Sequence, residues 1–293
     1  MEHGGILRLE AGSVLKKHNI VTHDGLMAAG KFFGAARGQL CSGDFTVSAV
    51  NHANARVVPQ HAHSHAFFSM LITGHYREWF GDEHWDARPL SMVLRPAQAE
   101  HRDEIGPDGA LFLCVDIAPP YWDALANAGV RLQRRTFDDR PMSCVALRLL
   151  RELCEKRAGW RGIAESLVTE LVAEYVADSR RVQRREPRWL RRAVERLQDD
   201  PANESLSVVA AELDLHPVHV SRMFKRHLGV TVSQYLRELR LRRAARALLE
   251  GRESLAALAD DHGFADQSHL TREFSRATSW SPAKLRCECE RLR

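Results

Sequence analysis

The feature that most limits the fold of this chain is a pattern stated twice near its end. Residues 205–228 read SLSVVAAELDLHPVHVSRMFKRHL, and residues 254–277 follow the same logic about fifty residues later. In the first copy Ser205 can cap a helix whose apolar positions are Leu206, Val209, Ala210 and Leu213. Asp214–His216 is short enough for a tight turn. Pro217 suits the first turn of a second helix, on which Val220, Met223, Phe224 and Leu228 face back to the first. In the second copy Ser254 caps Leu255–His262, with Leu255, Leu258 and Ala259 inward. Gly263 supplies the turn, and Phe264 can plug the core. Asp266 then caps Gln267–Ala277, with Leu270 and Phe274 buried, and Ser281-Pro282 opens a last helix by the same cap-then-proline logic. Between the copies, Val232–Leu249 reads as one long helix with apolar contacts for both. Before them, Arg188–Gln198 follows Pro187 with Trp189, Leu190, Val194 and Leu197 inward.

Each second helix keeps a polar face clear of its apolar seam. Val218, Ser221, Arg222 and Lys225 lie outward at i, i+3, i+4, i+7, and on the second reading helix Ser268, His269, Arg272 and Arg276 also face out. An apolar seam that fixes a helix, with the opposite face free, is what a major-groove reader requires. A rigid connector would hold two such helices at a set distance, suited to successive grooves ~34 Å apart. Charge agrees: residues 184–293 hold 21 Lys/Arg against 16 Asp/Glu, whereas residues 1–183 hold 21 against 22. The basic surplus belongs to the C-terminal third, which favours a polyanion partner there.

The segment Arg188–Arg286 resembles the AraC/XylS family of transcription regulators. The matching residues are Leu206, Ala210, Ser221-Arg222-Met223-Phe224-Lys225, Gly229, Tyr235, Arg240-Leu241, Ala244, Leu248-Leu249, Leu258-Ala259, Gly263-Phe264, Leu270, Arg272, Phe274, Ser281-Pro282 and Arg286. Three positions depart from the family pattern: Ser279 stands where Gly is usual, Leu285 where an aromatic is usual, and Val232 where Pro is frequent. Helix geometry and the resemblance together imply base contacts from Val218, Ser221 and Arg222 in the first unit and from Ser268, His269 and Arg272 in the second. Lys225, Arg226 and Arg276 are the expected phosphate contacts. The expected partner is double-stranded DNA, with RNA polymerase added if the protein activates, and with a homodimer and a small-molecule effector consistent with the layout.

The first part of the chain has a different period. Phe45–Val50, Ala66–Ile72, Met92–Leu94 and Ala110–Ile117 are short apolar or alternating runs separated by Gly, Pro, Asp and Asn, which predict strands of a small barrel or sandwich. Pro119-Pro120 closes this part. Helical spacing then appears in Met142–Arg157 and Ile163–Val176, read as a hairpin that packs on the barrel or pairs with a second copy. Arg180, Arg181, Arg184 and Arg185 form a basic linker. The expected fold is α+β: an N-terminal cupin-like β-barrel over 1–140, a helical hairpin and linker over 141–184, and an all-α DNA-binding domain over 185–293 with two helix-turn-helix motifs.

Within VPQHAHSHAFFSMLI (58–72), strand alternation would place His61, His63 and His65 on one face, and RPAQAEH (95–101) adds His101. This resembles the cupin-like sensor domain common in the family, where an HxH strand and a later Pro-x-Gly-x-x-His turn meet at a barrel mouth. Pro96 and His101 match that turn, and Gln98 replaces its Gly. The four histidines could hold a divalent metal, line an effector pocket, or simply pack. Enzymatic cupins usually carry a Glu a few residues after the HxH. Phe67, Phe68, Ser69 and Met70 occupy those positions, with Glu100 and Asp103 as substitute carboxylates. Nearby aromatics (Phe67, Phe68, Tyr76, Trp79, Phe80, Trp85) suit either a pocket or a core. No catalytic constellation is expected, so a non-enzyme is the leading reading. The alternatives are a cupin-type metalloenzyme with a DNA-binding tail, or a DNA binder with an inert N-terminal domain. No apolar run approaches the ~18 residues of a membrane span, no signal peptide opens the chain, and the six cysteines lack CxxC spacing. A cytoplasmic protein with reduced thiols is expected.

Overall fold

The computed structural model describes residues 22, 25–138, 141–183, 187–202 and 204–293, without the side chains of 181–183. Most of the segment before residue 25, and Arg184 and Arg185 of the basic stretch, lie outside the described residues, as does the Arg181 side chain. No helix among the described residues is long and apolar enough to cross a membrane.

The described residues of the N-terminal half include eight antiparallel strands: β1 (Ala35–Ser42), β2 (Phe45–His52), β3 (Arg56–His61), β4 (Ala66–Phe80), β5 (Glu83–Ala87), β6 (Met92–Arg95), β7 (His101–Ile117) and, after one helix, β8 (Arg135–Phe137). They form one curled sheet in the order β1-β2-β7-β4-β6-β8, with β3 added to β7 and β5 to β4. Two of the runs expected as short strands are the first half of β4 and the second half of β7. Each strand continues well beyond its apolar run, because its remaining inward positions (Glu78 in β4, His101 and Asp103 in β7) are polar and hide the alternation. Register slips at Leu71/Thr73 and Gly74/Tyr76 bend the β4–β7 pair. Gly74 makes this bend: its φ is +100°, and a Cβ there would sit 2.1 Å from the Gly109 carbonyl oxygen.

The sheet is buried on both faces, so its central strands read as nearly continuous apolar runs. Phe68, Met70, Ile72, Leu111, Leu113, Val115 and Ile117 point to the helices, while Leu71, Tyr76, Ile105, Phe112 and Cys114 point to the sheet's interior. Pro119-Pro120 closes the run of long strands by opening helix α1 (Pro119–Asn127), since proline suits the first helical turn, where no N–H is needed, and only the short β8 follows. The hairpin α2 (Met142–Glu155) and α3 (Trp160–Gln183) lies against β1 and β2 and covers that face of the sheet, where Tyr175 of α3 meets Phe68 of β4 edge-on at 6.0 Å.

The helical third comprises α4 (Arg188–Asp199), α5 (Leu206–Glu212), α6 (Pro217–Leu228), α7 (Val232–Glu250), α8 (Leu255–Asp261), α9 (Gln267–Thr278) and α10 (Pro282–Leu292). Its two halves are packed differently. Leu190, Ala193, Leu197, Val209, Ala210, Val220, Phe224, Val232 and Leu236 form a separate core around α4–α6 and the start of α7. The second half, including Leu258, Leu270, Phe274, Trp280 and Leu285, belongs to the same continuous core as the sheet and the hairpin. There α2 packs on α9, and β4 packs on α7. Arg246 Nε donates to the Pro89 carbonyl at 2.9 Å, and Trp280 Nε1 to Glu155 Oε1 at 2.8 Å. The hairpin is thus the floor on which the second half of the helical domain sits.

Candidate functional site

The first candidate surface is carried by α6. Ser205 Oγ accepts from the Val208 N–H at 3.3 Å and so starts α5, and His216 Nδ1 accepts from the Val218 N–H at 3.3 Å and starts α6. Val220 and Phe224 are fully buried and fix the helix on its seam. Val218, Arg222, Lys225 and Arg226 are exposed, Ser221 is half-buried, and all five line one surface groove with Leu206 and Pro217. The connector α7 begins in a capping box between Thr231 and Gln234. From it Arg240 Nη2 donates to the carbonyls of Ala202 at 3.0 Å and Glu204 at 3.3 Å, and Nε donates to Pro201. These bonds satisfy the carbonyls that lead into α5 and tie the first unit to the connector. The sequence reading assigned Arg240 no such role.

The second surface is carried by α9. Ser254 Oγ accepts from Ala257 at 3.1 Å and Asp266 Oδ1 from the His269 N–H at 2.7 Å. Ser268 and Arg272 are exposed on one face. His269 is half-buried: its Nδ1 accepts from the Ala265 N–H at 3.3 Å, and its ring meets Phe264 edge-on at 5.5 Å. That bond leaves the proton on Nε2, so the ring can offer one donor outward. Arg276 is exposed, but its Nη1 lies 2.6 Å from Glu273, a carboxylate also 3.6 Å from Arg237. A phosphate would have to compete with that carboxylate. Ser279 ends α9 with φ +63°, as Gly229 ends α6 with φ +77°, so the position where the family usually has Gly is a left-handed cap here too.

The third candidate lies inside the sheet. His61 and His101 are register partners on β3 and β7, and their ring centroids are 4.2 Å apart. His63 joins them, and the ligand nitrogens of all three lie within 4.8 Å of one another. His65 does not. The strand breaks after His61, a short bridge pairs His63 with Met27, and His65 falls in the following bend, so the expected alternation is lost. A fourth histidine, His52 of β2, does line the cavity, with its ring edge-on to Phe112 at 5.9 Å. Nothing in the sequence singled it out. Gln98 has φ +64° and donates its N–H to the His63 carbonyl at 2.8 Å, which explains the Gly usual at that place in the turn.

Around the histidines runs a buried polar chain of which sequence reasoning had named only Asp103, as a carboxylate, and Tyr76, as an aromatic of the pocket or core. Arg95 Nε donates to Glu78, Arg95 Nη2 donates to Tyr76 Oη at 2.9 Å, and Tyr76 Oη donates to Asp103 at 2.8 Å. Asp103 Oδ2 stands 3.9 Å from His61 Nε2. Glu100, the other substitute carboxylate, is exposed and accepts from Gln60 instead. Burial, then the nearby Arg95 and neighbouring imidazoles, lowers the pKa of His63 and His101 well below the ordinary value. Burial, with a smaller push from Arg95, lowers that of His61 as well, so all three are neutral near pH 7. Burial raises Asp103 to about 6 against the pull of Arg95. Phe67 and Tyr76 line this cavity, whereas Phe68 faces the helical side of the sheet.

Comparison with known proteins covers both halves. Residues 42–172 match a family model described as an AraC-like ligand binding domain, and residues 209–287 match one described as a helix-turn-helix domain. The HTH-type transcriptional activator RhaS of Pectobacterium carotovorum subsp. carotovorum (strain PC1) is 38% identical over 74 residues, 25% of this chain and 26% of that protein. The arabinose operon regulatory protein of Escherichia coli (strain K12) is 30% identical over 89 residues, 30% of each chain. The probable transcription factor PqrA of Proteus vulgaris is 32% identical over 101 residues, 34% of this chain and 78% of that protein. The chain spans about a quarter of the length of the RhaS activators it matches.

Proposed function

Because the chain belongs to the AraC/XylS family of transcription regulators, we propose that it binds specific DNA sequences through α6 and α9 and regulates transcription under control of a ligand held by the N-terminal sheet. The observation that carries this is the pair of capped, core-anchored helices on one connector, each leaving serine and arginine on its free face. Val218, Ser221 and Arg222 meet base edges from α6, and Ser268, His269 and Arg272 from α9. Lys225, Arg226 and Arg276 hold phosphates, Arg276 after leaving Glu273. As an activator the protein would also touch RNA polymerase, and as a homodimer it would bind two copies of its site.

Selection of bound fragments from sheared genomic DNA gives the motif. Titrations on that motif and on a scrambled duplex then test the roles. An arginine bidentate to guanine is worth ~1–3 kcal/mol of discrimination. Arg222→Ala is expected to lose roughly 5- to 150-fold on the motif and little on the scrambled duplex. Lys225→Ala weakens both alike and lowers the salt dependence by about one phosphate contact. Equal losses on both duplexes for Arg222→Ala overturn the base-reading assignment.

A further inference from the structure

The size of the space inside the sheet decides what kind of ligand it takes. The cavity beside His61, His63 and His101 measures about 40 Å³. A water needs about 10–15 Å³ of such space, and pockets for organic ligands run to roughly 300–1,000 Å³. Aromatic side chains fill the rest: Phe32 packs on His63 with ring centroids 5.2 Å apart, and Phe33 on His61 at 4.9 Å. An occupant of a few atoms fits, and a sugar-sized molecule does not.

The donors that face this space narrow the choice further. His61 Nδ1 donates to the Pro59 carbonyl at 2.9 Å, and His101 Nδ1 to the Ala99 carbonyl at 3.1 Å. Each bond sets the tautomer whose Nε2 lone pair is free, the arrangement that orients metal-bound imidazoles. His63 is 2% exposed, and its Nδ1 has no hydrogen-bond partner among the described residues. A buried polar atom without a partner calls for something to satisfy it. Asp103 stands beside His61, aimed by Tyr76.

We infer that His61, His63 and His101 bind one divalent transition-metal ion, with Asp103 alongside and the remaining coordination positions open to the cavity. Three imidazoles suit Zn²⁺, Co²⁺ or Ni²⁺ and not the oxygen-seeking Mg²⁺ or Ca²⁺. The inference names the ligand class of the regulator proposed above and rests on that reading only for its regulatory meaning.

The test uses the full chain, stripped with chelator and confirmed folded by circular dichroism. Zn²⁺ is titrated by calorimetry and Co²⁺ by visible absorption. One ion per chain is expected, with the ligand-field bands of a nitrogen-rich Co²⁺ site. Loss of an outer-shell partner costs roughly 10–100-fold in metal affinity, so loss of a ligand should cost at least roughly 100-fold. His63→Ala and His101→Gln are expected to show that loss, and His65→Ala to stay within about threefold of wild type. Folded wild-type protein that takes up neither ion overturns the inference whatever the variants do. So does saturable binding that His63→Ala and His101→Gln leave unchanged. DNA titrations on the same preparations keep the two readings apart. Specific DNA binding by a chain that takes no metal sinks only the metal site. Metal uptake by a chain that binds no specific DNA, stripped or loaded, sinks only the regulator.

Discussion

Phe224→Ala and Phe274→Ala remove the same side chain from equivalent places, yet their effects should differ in extent. Phe224 is fully buried, with Tyr235 edge-on at 5.7 Å, in the separate core of the first unit. Phe274 is 1% exposed in the core shared with the sheet and hairpin. Either truncation costs about 3–5 kcal/mol. At roughly 0.05–0.15 kcal/mol per residue, the first unit, α4 to the start of α7, has only about 2–7 kcal/mol of its own. Phe224→Ala therefore removes most of it, and amides of α5 and α6 should lose protection by roughly 10²–10⁴-fold while the centres of β4 and β7 keep theirs. Phe274→Ala should instead lower protection in α9, the hairpin and the sheet together. Native-state hydrogen exchange read by mass spectrometry on peptides from each element distinguishes these outcomes. Specific DNA affinity of Phe224→Ala should fall in step with the fraction of the first unit still folded. Loss of protection in β4 as large as in α6 for Phe224→Ala, or identical maps for the two variants, would refute the two-core reasoning.

Ser279→Gly should stabilise the protein by about 0.5–1 kcal/mol, because Ser279 holds a left-handed φ of +63° that glycine adopts without a Cβ penalty; a lower midpoint in urea denaturation would contradict this. Asp116 is buried on β7, accepts from the Gly30 N–H at 3.2 Å, and is pushed by burial up to about 7 from an ordinary 3.8. Its folded pKa is raised, so its protonated form favours the fold. The stability it contributes is present below pH 4 and is lost as pH rises through 7, at up to about 1.4 kcal/mol per pH unit. Asp116→Asn mimics the protonated form, so its stability relative to wild type should grow from pH 4.5 to pH 7.5; a difference independent of pH would show that Asp116 ionises freely in the folded state.

The helical third was legible because its ends are written in local chemistry. Ser205, Ser254, Asp266 and Ser281 all cap as their positions imply, and Pro217 and Pro282 stand in first turns. The sheet was legible only where both faces are apolar. The second half of β4 and the first half of β7 place Tyr76, Glu78, His101 and Asp103 inward, so the strands that build the cavity are those whose pattern is hardest to see. Tyr76, Arg95 and Asp103 meet only through sheet register across 19 to 27 residues of chain, which no short motif encodes. His61, His63 and His101 were visible from their types and spacing. The exit of His65 was not, because the break after β3 depends on the N-terminal segment bridging at Met27. Nor does any local signal say that α2 and β4 supply the floor for α9 and α7.

That floor has a practical consequence for hybrid regulators. A graft that joined this sheet and hairpin to another chain's DNA-binding half at the basic stretch would cut through one continuous hydrophobic interior, because Leu258, Leu270, Phe274 and Leu285 lie on its far side. The orphaned apolar faces would then self-associate or recruit chaperones. A seam within α7, after Arg240, spares that interior: Val232, Leu236 and Arg240 stay with the first unit they pack on and bond to, and the second reading helix stays seated on the surface that fits it.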